Sequence, residues 1–405
     1  MIELAGVLPG KEEKVSDKQE GPELVRGVPR GLERGLRNYW YPVMQSEELP
    51  AGKPVGVRCL DEDLVVFRDG AGVPGVLFDR CPHRYVQLSI GRVLDGQLQC
   101  AYHGLRFDGA GACTLIPWDT EAGAGQLAKA AARSYPCAEL GGYVWAYIGD
   151  TERFPAPPIE TCVPEELLHP ERFVHFRLPT EEWDANWLLV IDGSDAYHAV
   201  TLHMESQYHE AVARYLGDGE GGAAQKLTPL EDRRVKIVET DGHGLRGISV
   251  DLEGNMLDHG HGLDSIQGER FNLPGLVSNV LRPKADAAPY VSRLFQVPID
   301  YRRTRLFRYA AWRADTPEAR ERLARHFESV VKPRQLKTAA EDKEMARVAG
   351  DLVESRANEI LFGPDRDMIR IRRRIAAAFE AQQTDGLRAP ADEPTPAPAS
   401  LVFPV

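Results

Sequence analysis

Two short loops carry the residue types of an iron–sulfur site. Cys81-Pro-His83-Arg84 is followed, after a sixteen-residue spacer from His83, by Cys100-Ala-Tyr-His103, so the chain reads Cys-x-His and then Cys-x-x-His. Each loop offers one thiolate and one imidazole. That even split suits a [2Fe–2S] cluster in which Cys81 and Cys100 hold one iron and His83 and His103 hold the other. Replacing two thiolates by neutral imidazoles removes negative charge and raises the cluster's potential. The alternative is a structural zinc, but zinc ribbons and fingers pair like with like, whereas here each loop mixes the two.

A second constellation follows in 187–203, Trp-Leu-Leu-Val-Ile-Asp-Gly-Ser-Asp-Ala-Tyr-His-Ala-Val-Thr-Leu-His. His198 and His203 fall within one or two helical turns of each other, preceded by Asp195. Two neutral imidazoles and one carboxylate on a single face of a metal leave the opposite positions open, the arrangement by which non-haem Fe(II) binds O2 beside a substrate. The third ligand has to come from elsewhere. Asp342 and Asp351 are the candidates, and Asp342 is preferred because it lies near an expected helix start, where a ligand projects from a rigid element. Asp195 is kept outside the ligand set, as an acid that accepts a hydrogen bond from His198 and fixes its tautomer.

The elements that must position these groups are of two textures. From Trp40 the chain reads as short strands: Val55 to Leu60, Leu64 to Arg68, Gly75 to Asp79 and Tyr143 to Ile148, separated by turn signals such as Asp69-Gly70-Ala71-Gly72. The ligand loops interrupt this region. Beyond the prolines at 155, 157 and 158 the chain mixes strands (Phe173 to Leu178, Val235 to Thr240, Gly247 to Leu252, Leu294 to Ile299, Leu306 to Arg313) with three late helices. Thr316-Pro317-Glu318 marks a helix start leading into Leu323, Phe327, Val330 and Val331. A second helix is expected from about Asp342 with Met345, Val348 and Leu352 on one face. A third follows Gly363-Pro364, with Met368, Ile371, Ile375 and Phe379 as its stripe. The expected division is a lead-in over 1–39 that packs on the catalytic domain, a cluster domain over 40–150, a catalytic domain over 151–384, and a Pro/Ala-rich tail over 385–405.

Composition narrows the field. The 405 residues are 43% hydrophobic and 27% charged, ordinary for a globular protein, and the net charge of −12 argues against nucleic acid as a partner. No apolar run is long enough to span a membrane, and 1–20 is polar rather than basic-then-apolar, which predicts a cytoplasmic chain with no membrane partner. All six cysteines lie in the first 162 residues; the four outside the loops read as small buried groups in a reducing compartment. No nucleotide-binding fingerprint follows any strand, so reducing equivalents must arrive from outside.

Taken together, the two motifs resemble the catalytic α subunits of the Rieske non-haem iron oxygenases, which hydroxylate aromatic rings. The resemblance covers roughly 36–383. Within that family, Gly35-Leu-Arg-Asn-Tyr-Trp-Tyr-Pro-Val-Met44, Arg84-Tyr-Val-Gln-Leu-Ser89 and Asn358-Glu-Ile-Leu-Phe362 are most similar to the terminal oxygenase of carbazole angular dioxygenase. The resemblance implies an α+β architecture: a small antiparallel β Rieske domain and a helix-grip catalytic domain, an antiparallel sheet around a long helix. It implies a homotrimer without a second subunit type. It assigns the Rieske cluster to Cys81, His83, Cys100 and His103, and the mononuclear iron to His198, His203 and Asp342, with Asp351 as the fallback. It makes Asp195 the inter-subunit electron bridge and places Gly193 where a backbone carbonyl meets the substrate. The activity implied is addition of both atoms of O2 to an aromatic substrate, at best a carbazole-like tricyclic, with electrons from a ferredoxin and a separate NAD(P)H reductase. A Rieske monooxygenase or O/N-demethylase and a Rieske protein that only transfers electrons are the alternatives. The chain departs from the family where Ile191-Asp192 stands in place of Glu-Asn, and at Leu188, where a basic residue is common.

Overall fold

The computed structural model describes residues 23–119, 121–193, 198, 202–203, 234–240, 244–250, 266–281, 290–362 and 365–384. Among them all sheets are antiparallel and the class is α+β, as expected. Among the described residues the first half is built of a short hairpin, Glu23–Val25 with Val28–Pro29, and three larger sheets. One pairs Val55–Cys59, Glu62–Arg68, Pro74–Phe78 and Ser134–Tyr135. A second pairs Tyr39–Gln45, Tyr143–Ile148 and Cys137–Leu140. A third, of Arg92–Leu94, Gln97–Gln99, Arg106–Phe107 and Cys113–Leu115, carries the second ligand loop at its hairpin tip. Helix α1 (Ala124–Lys129) is short.

The second half is organised on a six-stranded sheet. Its strands run in the order Phe173–Arg177, Arg303–Arg313, Tyr290–Asp300, Leu276–Leu281 and Ile266–Asn272, and Glu181–Trp183 also pairs with Arg303–Arg313. A separate hairpin pairs Arg234–Thr240 with Gly244–Val250. Helices α2 (Glu165–Leu168), α3 (Trp187–Asp192), α4 (Pro317–His326), α5 (Lys332–Val348), α6 (Leu352–Asn358) and α7 (Arg366–Thr384) pack around it. The long α7 lays Ile375 and Ala378 into the same core as Phe271, Val277 and Phe295 of the sheet, which is the burial its sequence stripe calls for.

The two halves share that core. Tyr41, Val43 and Trp145 pack in one cluster with Val297, Phe307 and Tyr309. Backbone bonds reinforce the seam: Leu60 and Asp61 donate to the carbonyls of Pro298 and Ile299 at 2.9 and 3.0 Å. The described part of the lead-in is held too. Leu32 and Leu36 are buried, and the indole of Trp187 donates to the Leu32 carbonyl at 3.1 Å.

The late helices differ from expectation in where one of them starts and in which faces are buried. Helix α4 starts where Thr316 and Pro317 say it should, with the Thr316 hydroxyl accepting from Ala319 N at 3.2 Å. A π-helical turn, Phe327–Val331, then feeds directly into α5, which begins at Lys332. Asp342 therefore sits in the interior of a long helix rather than near its start. Pro333 follows directly on the π-helical turn, where the widened ladder accommodates a residue that has no N–H to give the preceding turn. The buried face of α5 is also not the expected one. Gln335 and Ala339 are buried, whereas Met345 and Val348 are 46% and 56% exposed, and Leu352 belongs to α6. The small Ala339 lets the helix approach the sheet closely, and that approach decides which face turns inward. Val330 likewise stays at the surface while Leu323, Phe327 and Val331 are buried.

Candidate metal centres

The two cysteine loops are built alike. In the first, Cys81 N donates to Val86 O at 2.8 Å and Tyr85 N donates to Cys81 O at 2.8 Å; in the second, Cys100 N donates to Leu105 O at 2.9 Å and Gly104 N to Cys100 O at 3.1 Å. The fourth residue after each cysteine turns the chain back in the left-handed region, Tyr85 at φ 59° and Gly104 at φ 77°. Glycine adopts that conformation freely and tyrosine does so at a cost. Asp79 pins the first loop by accepting from Ser89 N at 2.7 Å and Ser89 Oγ at 2.6 Å.

This scaffold brings all four predicted donors together. Cys81 and Cys100 are 1% and 2% exposed, and burial, with the Cys100 thiol beside it, pushes the Cys81 thiol up to about 11. A buried thiol raised in this way gives up its proton to a cation that binds it. The rings of His83 and His103 lie 4.6 Å apart between centroids. Desolvation, with His103 and Arg84 nearby, pulls the His83 pKa down, which favours the neutral imidazole a metal needs. Its Nδ1 is buried with no hydrogen-bond partner among the described residues. Two facing thiols and an unpartnered imidazole nitrogen fit a cluster bound by sulfur on one side and nitrogen on the other.

The second centre forms where α5 meets the segment after α3. Asn186 starts α3, its side chain accepting from Leu188 N at 3.0 Å while its amide donates to Glu33 O and Tyr301 O at 2.9 and 2.7 Å. The helix ends at Asp192, whose carboxylate accepts from Arg372 at 2.8 and 2.9 Å and lies 2.8 Å from Arg356. Beyond it, Leu202 N donates to His198 O at 2.8 Å, and the rings of His198 and His203 lie 5.0 Å apart between centroids. His198 Nε2 and His203 Nε2 are 3.1 Å apart; Asp342 Oδ1 lies 3.1 Å from the latter and 3.5 Å from the former. Three donors about 2.1 Å from one metal, at right angles, stand roughly 3 Å apart, so the spacing fits a facial site. Burial raises the Asp342 carboxyl, but hydrogen bonds from His198 and His203 outweigh it and hold the group below its usual range.

Other predicted residues fall elsewhere. Asp351 is not in this group: it caps α6, accepting from Val353 N at 2.9 Å and from Tyr301 OH at 3.0 Å. Gly193 ends α3. Asp195 lies outside the described residues, as do 1–22 of the lead-in and the tail from 385. Sequence reasoning missed Glu341, whose Oε2 lies 2.7 Å from His203 Nδ1. A carboxylate there keeps the proton on Nδ1 and turns Nε2 toward the metal. Glu341-Asp342 was visible as an acid pair, but adjacent helix positions point about 100° apart, and only the packing says which acid meets which nitrogen. No helix among the described residues is long and apolar enough to cross a membrane.

Comparison with known proteins agrees with this geometry. Residues 39–136 match the Rieske [2Fe-2S] domain and residues 147–383 match the family described as homotrimeric ring hydroxylase. The oxygenase subunit of 3-chlorobenzoate-3,4-dioxygenase from Comamonas testosteroni is 36% identical over 205 residues, 48% of this chain and 44% of that protein. The oxygenase component of dicamba O-demethylase from Stenotrophomonas maltophilia is 34% identical over 198 residues, 47% of this chain and 56% of that one. The chain thus spans about half the length of the curated relatives it matches. In fold it is similar to the oxygenase solved in reduced complex with ferredoxin in carbazole 1,9a-dioxygenase, with TM-score 0.64 and 24% identity over 88% of this chain and 94% of that one. A Rieske domain ahead of a ring-hydroxylase domain, carrying a Rieske cluster and a mononuclear iron that works with O2, makes this chain a member of the homotrimeric ring hydroxylase family of Rieske non-haem iron oxygenases.

Proposed function

We propose that the chain is the terminal oxygenase of a multicomponent system, taking electrons from a ferredoxin reduced by a separate NAD(P)H reductase and oxygenating an aromatic substrate. The observation that carries this is the convergence of His198, His203 and Asp342 within 3.1–3.5 Å in the chain that also packs Cys81 against Cys100. When bound, the cluster supplies single electrons and the mononuclear iron supplies activation of O2. The protein's own residues do the rest. Cys81 and Cys100 hold the cluster in the interior while His83 and His103 sit nearer the surface. Glu341 orients His203, and the three iron ligands keep to one side so that the other stays open. Asp195 joins His198 by hydrogen bonds to His103 of the partner subunit in a homotrimer. Gly193 offers its carbonyl to the substrate.

Dioxygenation is the preferred chemistry, with monooxygenation or O/N-demethylation on the same ligands as the second reading, because a dioxygenase and an O-demethylase each match about half of the chain at similar identity. For the substrate, the resemblance favours carbazole-like tricyclics, and the chlorobenzoate relative adds aromatic acids. The test is turnover of carbazole, dibenzofuran, fluorene and a methoxybenzoate under isotopically labelled O2 with a ferredoxin donor system. Two labelled atoms in the product establish dioxygenation, one on the ring establishes monooxygenation, an unlabelled phenol with label in the released formaldehyde establishes O-demethylation, and no oxidised product from any of them overturns the reading. Asp195→Asn is expected to keep both metals and lose most turnover; normal turnover would remove the bridging role.

A further inference from the structure

The layer between the six-stranded sheet and α5 holds a cation that the metal centres do not use. Along Arg303–Arg313 successive side chains alternate between the faces of the sheet. Leu306 packs in one cluster with Ala339 of α5, and Ala310 and Trp312 pack with Leu323, Phe327 and Val331. Arg308 lies between them on that same face, opposite Leu294 of the neighbouring strand. It is 8% exposed. Of its five N–H donors, only Nη1 has a hydrogen bond among the described residues, to the Gln335 carbonyl at 3.3 Å. Gln335 is buried in the same layer, its Nε2 3.3 Å from Ser292 Oγ and its Oε1 without a partner among the described residues. Gln335 and Asp342 stand seven residues apart on α5, two turns along one face of the helix. Between them on the inward side is Ala339, which contributes only a methyl.

A buried guanidinium with one long hydrogen bond is costly unless an anion faces it. Burial pulls the Arg308 pKa down, and the carboxylates of Glu181 and Asp342 act against that. A metal on Asp342 takes up that carboxylate's charge, which leaves Glu181 as the one acid of the two still acting on Arg308 when the site is loaded. The planar guanidinium fork is matched to a carboxylate, which it binds through two parallel hydrogen bonds.

We infer that Arg308 is the anchor for a carboxylate on the aromatic substrate, so that the substrate class is an aromatic acid rather than a neutral tricycle. This rests on the oxygenase reading above and narrows it. Gln335 is the positioning residue, its carbonyl directing the guanidinium along the face of α5 that leads to Asp342.

The test needs no turnover. Holoenzyme with both metals is titrated anaerobically with benzoate and 4-methoxybenzoate, each against its own amide, in the wild type and in Arg308→Gln and Arg308→Lys. A buried charge-assisted pair predicts that the acids bind the wild type about tenfold or more tighter than the amides. The preference should vanish in Arg308→Gln and persist in weakened form in Arg308→Lys, with iron content unchanged. Acids and amides binding the wild type alike, neither binding, or Arg308→Gln keeping the preference would each overturn the inference. The oxygenase reading is tested separately on the same preparation. Turnover of carbazole without binding of the acids defeats the inference alone, whereas iron confined to the cluster defeats the oxygenase reading as well.

Discussion

Glu341→Gln probes the iron site without touching a ligand. The carboxylate lies 2.7 Å from Nδ1 of His203, and the histidine is 3% exposed, so water does not replace the contact when it is weakened. A hydrogen bond to a charged acceptor contributes about 1.5–3 kcal/mol, against about 0.5–1.5 for a neutral one. Glutamine keeps the shape and a neutral acceptor, so the change costs about 1–2 kcal/mol. With a tenfold change in affinity per about 1.4 kcal/mol, metal binding should weaken roughly 5- to 30-fold, overlapping the lower part of the roughly 10- to 100-fold range for partners of ligating histidines. The direction follows from chemistry as well: without the carboxylate, Nε2 is a poorer donor. The assay strips the mononuclear iron with a chelator under argon and titrates Co(II) or Fe(II) back, following metal affinity. The Rieske absorbance is the internal control, because its proposed ligands lie in 81–103, remote in sequence from Glu341. A variant with affinity within twofold of wild type, or one that loses the cluster in parallel, would refute the reasoning.

Other consequences are equally direct. Asp192→Asn weakens the bonds that Arg372 and the buried Arg356 make to the end of α3, while Glu359 still accepts from Arg372 at 2.6 and 2.8 Å; exchanging a charged acceptor for a neutral one should cost about 1–2 kcal/mol, readable by urea denaturation, and an unchanged stability would refute the contribution. Glu62 is raised by burial but lowered further by Tyr135, Arg37 and Arg133, leaving it below its ordinary value. A carboxyl lowered on folding adds stability above its unfolded pKa of about 4.5, and that stability is lost as pH falls through the folded value. Thermal melts across the acid range should therefore show Glu62→Gln less stable at neutral pH, with the gap to wild type closing on acidification; a gap independent of pH would count against this.

Much of the chemistry was legible in order along the chain because it is local. Each cysteine loop carries its own histidine within three residues, and a six-residue hairpin turn is enough to aim both. His198 and His203 stand five positions apart. Thr316 starts α4 by accepting from Ala319 N next to it in sequence, with Pro317 at the first helical position, and the strands from Val55 to Phe78 declare themselves as short β-rich runs bounded by turn residues.

What the chain alone left open were meetings between distant segments. On paper Asp342 is only the preferred acid and Asp351 its fallback; the fold takes Asp342 to the histidines and spends Asp351 on capping α6. The start of α5, its inward face, and the contact of Glu341 with His203 across 138 positions follow from how closely Ala339 lets the helix settle on the sheet. Arg308 reads in sequence as one more charge in a strand, and only the helix lying over it makes it a buried cation. Residue type and short spacing determine which atoms bind a metal, because neighbours along the backbone cannot escape one another; which remote side chain completes the site is decided by packing of whole faces, which no local pattern records.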